Sequence, residues 1–276
     1  MAIDLSVDLI RATVQLEQPL GDGTRTVGTG FLISAPTPDG KPRIVLVTAN
    51  HVFNRMPGAT MRIGYRVAGV DGTWRYAPQN VTIREGAEEL WTHNPDRDIA
   101  VIAIAAPPEF AKAAIPLDWL ATEATFDEYA LGPGDEMMTL GYPRGLSSNT
   151  AGFPILRAGR VASYPLGPSA AFPTFLLDFA VFPGNSGGPV YMTEASRRRA
   201  GADGRPVQFI AGILTQQVEL TGERLQIGIV THARFIRDTI ALLDNPRALD
   251  RRPPAAPSGP IPGAVAASAL EMGEDR

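Results

Sequence analysis

The chain has no cysteine. That removes disulfide cross-links, a cysteine nucleophile and a thiolate metal site at once. Its 276 residues must therefore be held together by apolar cores. No stretch approaches the roughly 20 apolar residues that a membrane-crossing helix needs. The start, Met1 to Arg11, carries Asp4 and Asp8 and lacks a basic region followed by a long apolar run. It does not read as a secretory signal, so a cytoplasmic location is expected. No surplus of positive charge exists: the formal net charge is -4. Nucleic acid and anionic membranes are thus not expected as partners. Only three histidines are present, and none has a helix-spaced second histidine with a nearby acid, so no metal site is expected. Gly21-Asp22-Gly23 has no Gly-Lys-Ser/Thr after it, which excludes a phosphate-cradling loop.

Short apolar runs separated by turn residues fill most of the chain. Strands are expected at 12–16, 27–35, 43–48, 61–66, 80–84 and 99–105. Thr37-Pro38-Asp39-Gly40 supplies a turn between two of them. Helical character at 109–114 and 118–124 marks a connection. A second β-rich stretch follows, with strands expected at 135–141, 158–164, 175–180, 188–192, 207–215 and 226–231. Apolar residues Phe235, Ile236, Ile240, Leu242 and Leu243 suit a final amphipathic helix that Asn245-Pro246 ends. From Arg251 the chain is rich in Pro, Ala, Gly and Ser, a composition expected to be disordered. Glu194 to Arg205, with Arg197-Arg198-Arg199, reads as a solvated loop.

Three short segments carry the residue types of nucleophilic catalysis. Gly184-Asn185-Ser186-Gly187-Gly188-Pro189 places a serine in a tight turn with no obstructing side chain on either side. Such a turn exposes the hydroxyl and leaves backbone N–H groups free to hold an oxyanion. Thr48-Ala49-Asn50-His51-Val52 puts a histidine where an apolar strand ends, a position suited to a general base. Asp98 directly precedes the apolar run Ile99-Ala100-Val101-Ile102, where an acid could orient an imidazole. Each alone has a plain reading: a turn, a structural histidine, a strand-start residue. Asp96 is the rival acid. His93 reads as a loop residue beside the Asp98 strand, and His232 as lying near the start of the last helix.

In order, these segments resemble the chymotrypsin-like serine proteases, and the bacterial Deg/HtrA-type branch above all. The resemblance is carried by Gly28-Thr29-Gly30-Phe31, the His51 and Asp98 segments, Gly134 to Gly145, Asp178 to Pro189, and Ala211-Gly212-Ile213. It runs from about residue 10 to residue 243. It implies an all-β protein of two packed six-stranded antiparallel β-barrels with a C-terminal helix. The first barrel is expected within 1–106, the connection at 107–133, the second barrel with its helix at 134–245, and the tail at 246–276. It also implies a triad of Ser186 as nucleophile, His51 as base and Asp98 as its orienting acid, with the Gly184 and Ser186 amides as oxyanion hole. Thr215 occupies the place of a residue that hydrogen-bonds the aspartate. Ala180, Val181, Phe182, Leu214, Thr215, Gln216 and Gly228 are expected to line the substrate pocket. With Ala180 at the pocket base and no acid there, a small or medium apolar P1 side chain is expected.

The implied function is a trypsin-like serine endopeptidase that needs no cofactor and acts on protein or peptide substrates. Asn185 departs from digestive relatives, which have an aspartate that pairs with a new N-terminus after zymogen cleavage. An amide cannot form that pair, so no such activation is expected. No PDZ-like segment is expected in the residues after the protease region. An unregulated cytoplasmic protease is hazardous, so a regulatory partner or a closed resting state is expected. Gly184 to Gly188 also fits the Gly-x-Ser-x-Gly elbow of α/β-hydrolases, with Asp203 and His232 to complete a triad. That elbow needs a helix after the serine, which Gly187-Gly188-Pro189 opposes. The same three segments would also suit a catalytically silent binding module on a protease fold, or an esterase with the same triad.

Overall fold

The computed structural model describes residues 4–194, 206–220 and 223–245, together with Gly204 and the backbone of 265–266. The first half begins with helix α1 (Leu5–Ala12), which Asp4 caps by accepting from the Ser6 and Val7 amides. Leu5, Leu9 and Ala12 form its buried face. Strands β1 (Thr13–Pro19), β2 (Arg25–Ser34) and β3 (Ile44–Thr48) follow, then the single-turn helix α2 (Asn50–Asn54). Next come β4 (Thr60–Ala68), β5 (Trp74–Thr82), the small hairpin β6 (Arg84–Glu85) and β7 (Glu88–Glu89), β8 (Thr92–His93) and β9 (Ala100–Ile104).

The connection holds α3 (Pro108–Ala113), β10 (Ile115–Pro116) and α4 (Glu123–Glu128). The second half holds β11 (Glu136–Gly141), β12 (Ile155–Val161), β13 (Thr174–Asp178), β14 (Pro189–Glu194), β15 (Val207–Leu220) and β16 (Glu223–His232), and then α5 (Ala233–Leu242).

The second half is a closed six-stranded barrel. Its order is β14-β11-β12-β13-β16-β15, and β15 returns to pair with β14. The first half is an eight-stranded sheet. Its antiparallel path runs β5-β4-β1-β2-β3-β9-β8, and β10 joins β2 in parallel. The expected all-β class and closing helix are both present. The first half counts more strands than the expected six because two-residue ladders at β8 and β10 extend it. Pro78 sits inside β5, a strand at the end of that path, where proline is tolerated.

Alternation and β-branching explain the strands that frame the site. β3 is Ile-Val-Leu-Val-Thr and, apart from its first residue, is fully buried. It pairs with β2 on one side and β9 on the other. The ends of β3 and β9 therefore come together, and the residues just beyond them meet. Among the described residues, no helix is long and apolar enough to cross a membrane. The expected solvated loop with Arg197 to Arg199, the tail from Arg251 apart from residues 265–266, and Asp203 lie outside the described residues.

Candidate active site

His51 is the second residue of α2, one turn beyond the end of β3. Asp98 lies in the turn that leads into β9. The register of β3 with β9 pairs Thr48 with Ala100, which brings these two side chains together. Asp98 Oδ1 accepts from the His51 backbone amide at 2.8 Å. Its Oδ2 lies 2.6 Å from His51 Nδ1. One carboxylate thus holds both the backbone and the ring of the same histidine. This arrangement fixes the tautomer that leaves Nε2 without a proton. Asp96 does not share this role; its amide donates to Asn94 Oδ1. His93 belongs to β8 and pairs with Ala100 of β9. Trp91 Nε1 donates to Asn50 Oδ1 at 3.0 Å and steadies the start of α2.

Ser186 comes from the other half, in the loop before β14. Two glycines shape this loop. Gly184 has φ +93°, and a Cβ there would sit 2.3 Å from the Tyr142 carbonyl oxygen. Gly187 has φ +90°, and a Cβ would sit 2.0 Å from the Thr29 carbonyl oxygen. No L-side chain fits either place. The loop is pinned by its carbonyls. Arg144 N donates to Pro183 O at 2.6 Å, and Gly188 N donates to Asn185 O at 3.1 Å. In a trans peptide the N–H points opposite its C=O. The Gly184 and Ser186 amides are therefore turned the other way. Neither donates a hydrogen bond among the described residues. Ser186 Oγ donates to the Thr215 carbonyl at 3.3 Å, not to His51.

Other expected residues are placed as follows. The Thr215 hydroxyl bonds Ile229 O at 3.3 Å and lies 3.4 Å from Thr231 Oγ1. This corrects the expected link to Asp98: Thr215 is the unpaired residue at a register shift between Leu214 and Gln216 in the β15–β16 ladder, and its hydroxyl bonds to β16. Asn185 is buried at 3% exposure, and its Oδ1 and Nδ2 have no partner among the described residues. The structure gathers Val181, Leu214 and Gly228: a Cβ on Gly228 would lie 3.1 Å from both other side chains. Ala180, Phe182 and Gln216 are half-buried. The rings of Phe179 and Phe182 are flanked by the Arg157 guanidinium, at 5.7 and 5.2 Å.

His232 is not near this cleft. It ends β16 and precedes α5, with its ring 4.8 Å from Phe126 and 5.1 Å from Phe175. It lines a separate cavity of about 380 Å³ with Glu123, Leu131, Leu166, Ser169 and Arg234. Burial depresses its pKa to about 4, against a smaller upward pull from the Glu123 carboxylate. The α/β-hydrolase reading fails on local structure, because a strand, β14, follows Ser186.

Residues 28–196 match the trypsin-like peptidase domain, a span that takes in His51, Asp98 and Ser186. The chain belongs to that family. No curated protein sequence matches it. Among solved structures, this chain is similar to the HtrA-type protease AlgW with tripeptide. The TM-score is 0.52 at 19% identity, over 87% of this chain and 62% of that one. A second form of AlgW with tripeptide gives a TM-score of 0.51 at 18% identity, over 88% of this chain and 64% of that one. The chain thus spans less than two thirds of the length of these relatives. At such identity the likeness speaks for the fold.

Sequence reasoning missed two contributors to the site. Thr29 and Tyr142 both hydrogen-bond within it. Thr29 lies inside the Gly28-Thr29-Gly30-Phe31 segment, yet nothing local marks its hydroxyl as facing the other half.

Proposed function

We propose that the protein is a serine endopeptidase that cleaves peptide bonds through an acyl-enzyme, with Ser186, His51 and Asp98 as its triad. The observation that carries this is the double hold of Asp98 on His51, beside a serine loop whose two amides are left without acceptors. Attack begins when the Ser186 hydroxyl leaves the Thr215 carbonyl and turns to His51 Nε2. The imidazole takes the proton as Oγ bonds to the scissile carbonyl carbon, and Asp98 stabilises the imidazolium. The Gly184 and Ser186 amides receive the oxyanion, a role worth ~10²–10³ in rate per donor. The imidazolium then protonates the leaving amine. Water, deprotonated by the same ring, releases the acyl group.

Substrates are proposed to pair as an added strand along Thr215 and Gln216 of β15. The apolar wall of Val181, Leu214 and Gly228, with Ala180 and Phe182, suits a small or medium apolar P1 side chain. An esterase would use the same groups, so the test must use an amide. The purified chain should cut an unfolded protein after apolar residues, and Ser186→Ala should remove nearly all turnover. Equal turnover by wild type and Ser186→Ala would remove the serine from its role. An intact wild-type protein that cuts no amide, yet turns over a small ester, would favour the esterase.

A further inference from the structure

The serine loop belongs to the second half of the molecule, but part of its hold comes from the first. Thr29, in β2, is fully buried and spends every polar group it has near that loop. Its amide donates to Ser186 O at 2.9 Å. Its hydroxyl donates to Gly184 O at 2.6 Å and accepts from Tyr142 N at 3.1 Å. Its carbonyl accepts from Thr48 Oγ1 at 2.7 Å. The carbonyls of Gly184 and Ser186, the two neighbours of Asn185, are thus tied to one residue. The side chain of Asn185 itself contributes no bond among the described residues, so it does not brace the loop.

We infer that the Thr29 hydroxyl is a positioning residue for the proposed oxyanion donors. The inference rests on the endopeptidase reading. Gly184 has a positive φ and no Cβ, so little intrinsic preference keeps its two peptide planes in place. Arg144 N fixes the plane before it, and the plane after it is held at its carbonyl by the Thr29 hydroxyl and at its amide by Asn185 N donating to Phe182 O at 3.0 Å. Tyr142 is two residues from Arg144, and the Thr29 oxygen accepts its amide. One hydroxyl therefore couples both strands of the clamp. Without it, Gly184 O and Tyr142 N are left buried and unpaired, and the loop relaxes to satisfy them. The Gly184 amide then leaves the line required at the oxyanion, where a shift near 1 Å costs about 10²-fold in rate.

The test is Thr29→Val, which keeps the shape and removes the hydroxyl, beside Thr29→Ser, which keeps the hydroxyl. With a peptide amide substrate, Thr29→Val should lower kcat about 10²-fold with KM little changed. Thr29→Ser should stay close to wild type. Affinity for a peptide aldehyde, which forms a tetrahedral adduct, should fall in step with kcat. Wild-type kcat in Thr29→Val would overturn the inference, as would equal damage in both variants, which would assign the effect to packing at this position and not to the hydroxyl. Should Thr29→Val fail to fold, Thr29→Ser and Thr29→Ala differ by the hydroxyl alone, and the same gap in kcat is expected between them. An inert wild type would count against the endopeptidase reading itself, whereas an active wild type with an equally active Thr29→Val removes only the role of Thr29.

Discussion

Gly187 shows how sharply one residue can be constrained. The place of its missing Cβ overlaps the Thr29 carbonyl oxygen and approaches the Thr48 hydroxyl. Both are partners in the same hydrogen bond. Gly187→Ala must push β2 away or drag Ser186 with the loop. We expect it to reduce kcat at least 10²-fold, a loss that peptide hydrolysis would show directly. Gly40→Ala is the matched control: its φ is also positive, +81°, but nothing lies within 4 Å of the added carbon. That variant should lose only backbone stability and keep its turnover.

His232 belongs to the same scale and makes a prediction about pH. Its folded pKa of about 4 lies below its ordinary value of 6.5. The unfolded chain therefore binds a proton more readily than the folded one. The stability from keeping this ring neutral is complete above about pH 6.5. It is lost progressively as pH falls from 6.5 through 4, by about 3 kcal/mol in all. His232→Gln should flatten that part of the curve of Tm against pH. An unchanged slope between pH 6.5 and 4 in the variant would show that other groups set the acid limb.

At the scale of elements, strands with clear patterns were legible and their ends were not. β3 and β9 were read to within a residue because buried β-branched runs have no helical alternative at that length. β12 lies three residues earlier than expected. Its Leu156 is 44% exposed, so its apolar residues do not mark the buried face. β5 is far longer than expected because Pro78 and the polar residues around it suppress its signal. Helix α1 was missed although Asp4 caps it and Leu5, Leu9 and Ala12 share a face. At eight residues it is too short to stand out, and its stability comes from packing. The candidate site was legible for a different reason. Catalytic chemistry needs particular residue types at strand ends and glycine turns, and these show locally. Thr29 and Tyr142 were not legible, because their contacts join segments 113 residues apart in sequence.

At the scale of the whole molecule, the two halves must be held in register for the site to exist. A buried cation does part of this. Arg66 of β4 is 1% exposed. It donates to the Ile10, Arg11, Thr13 and Gly152 carbonyls and to the Tyr142 hydroxyl. Its guanidinium lies 5.3 Å from the Phe110 ring centre and 5.0 Å from that of Phe153. Desolvation lowers its pKa, opposed by Tyr142. It ties α1, β1 and β4 to the segment that carries Tyr142. Arg66→Ala would leave these carbonyls buried without a donor, and should cost about 3–5 kcal/mol in chemical denaturation. A loss below about 1 kcal/mol would show that the halves are registered by their apolar contacts alone.

We propose that His51, Asp98, Ser186 and the two loop amides work as one catalytic unit, and a fluorophosphonate probe reads that unit at the serine itself. The probe reacts with a serine that is activated by its base and faces an oxyanion hole. Read by intact mass, wild type should gain one adduct, and Ser186→Ala and His51→Ala should gain none. A folded wild-type protein that takes up no probe, or a Ser186→Ala variant labelled as fully as wild type, would contradict the account.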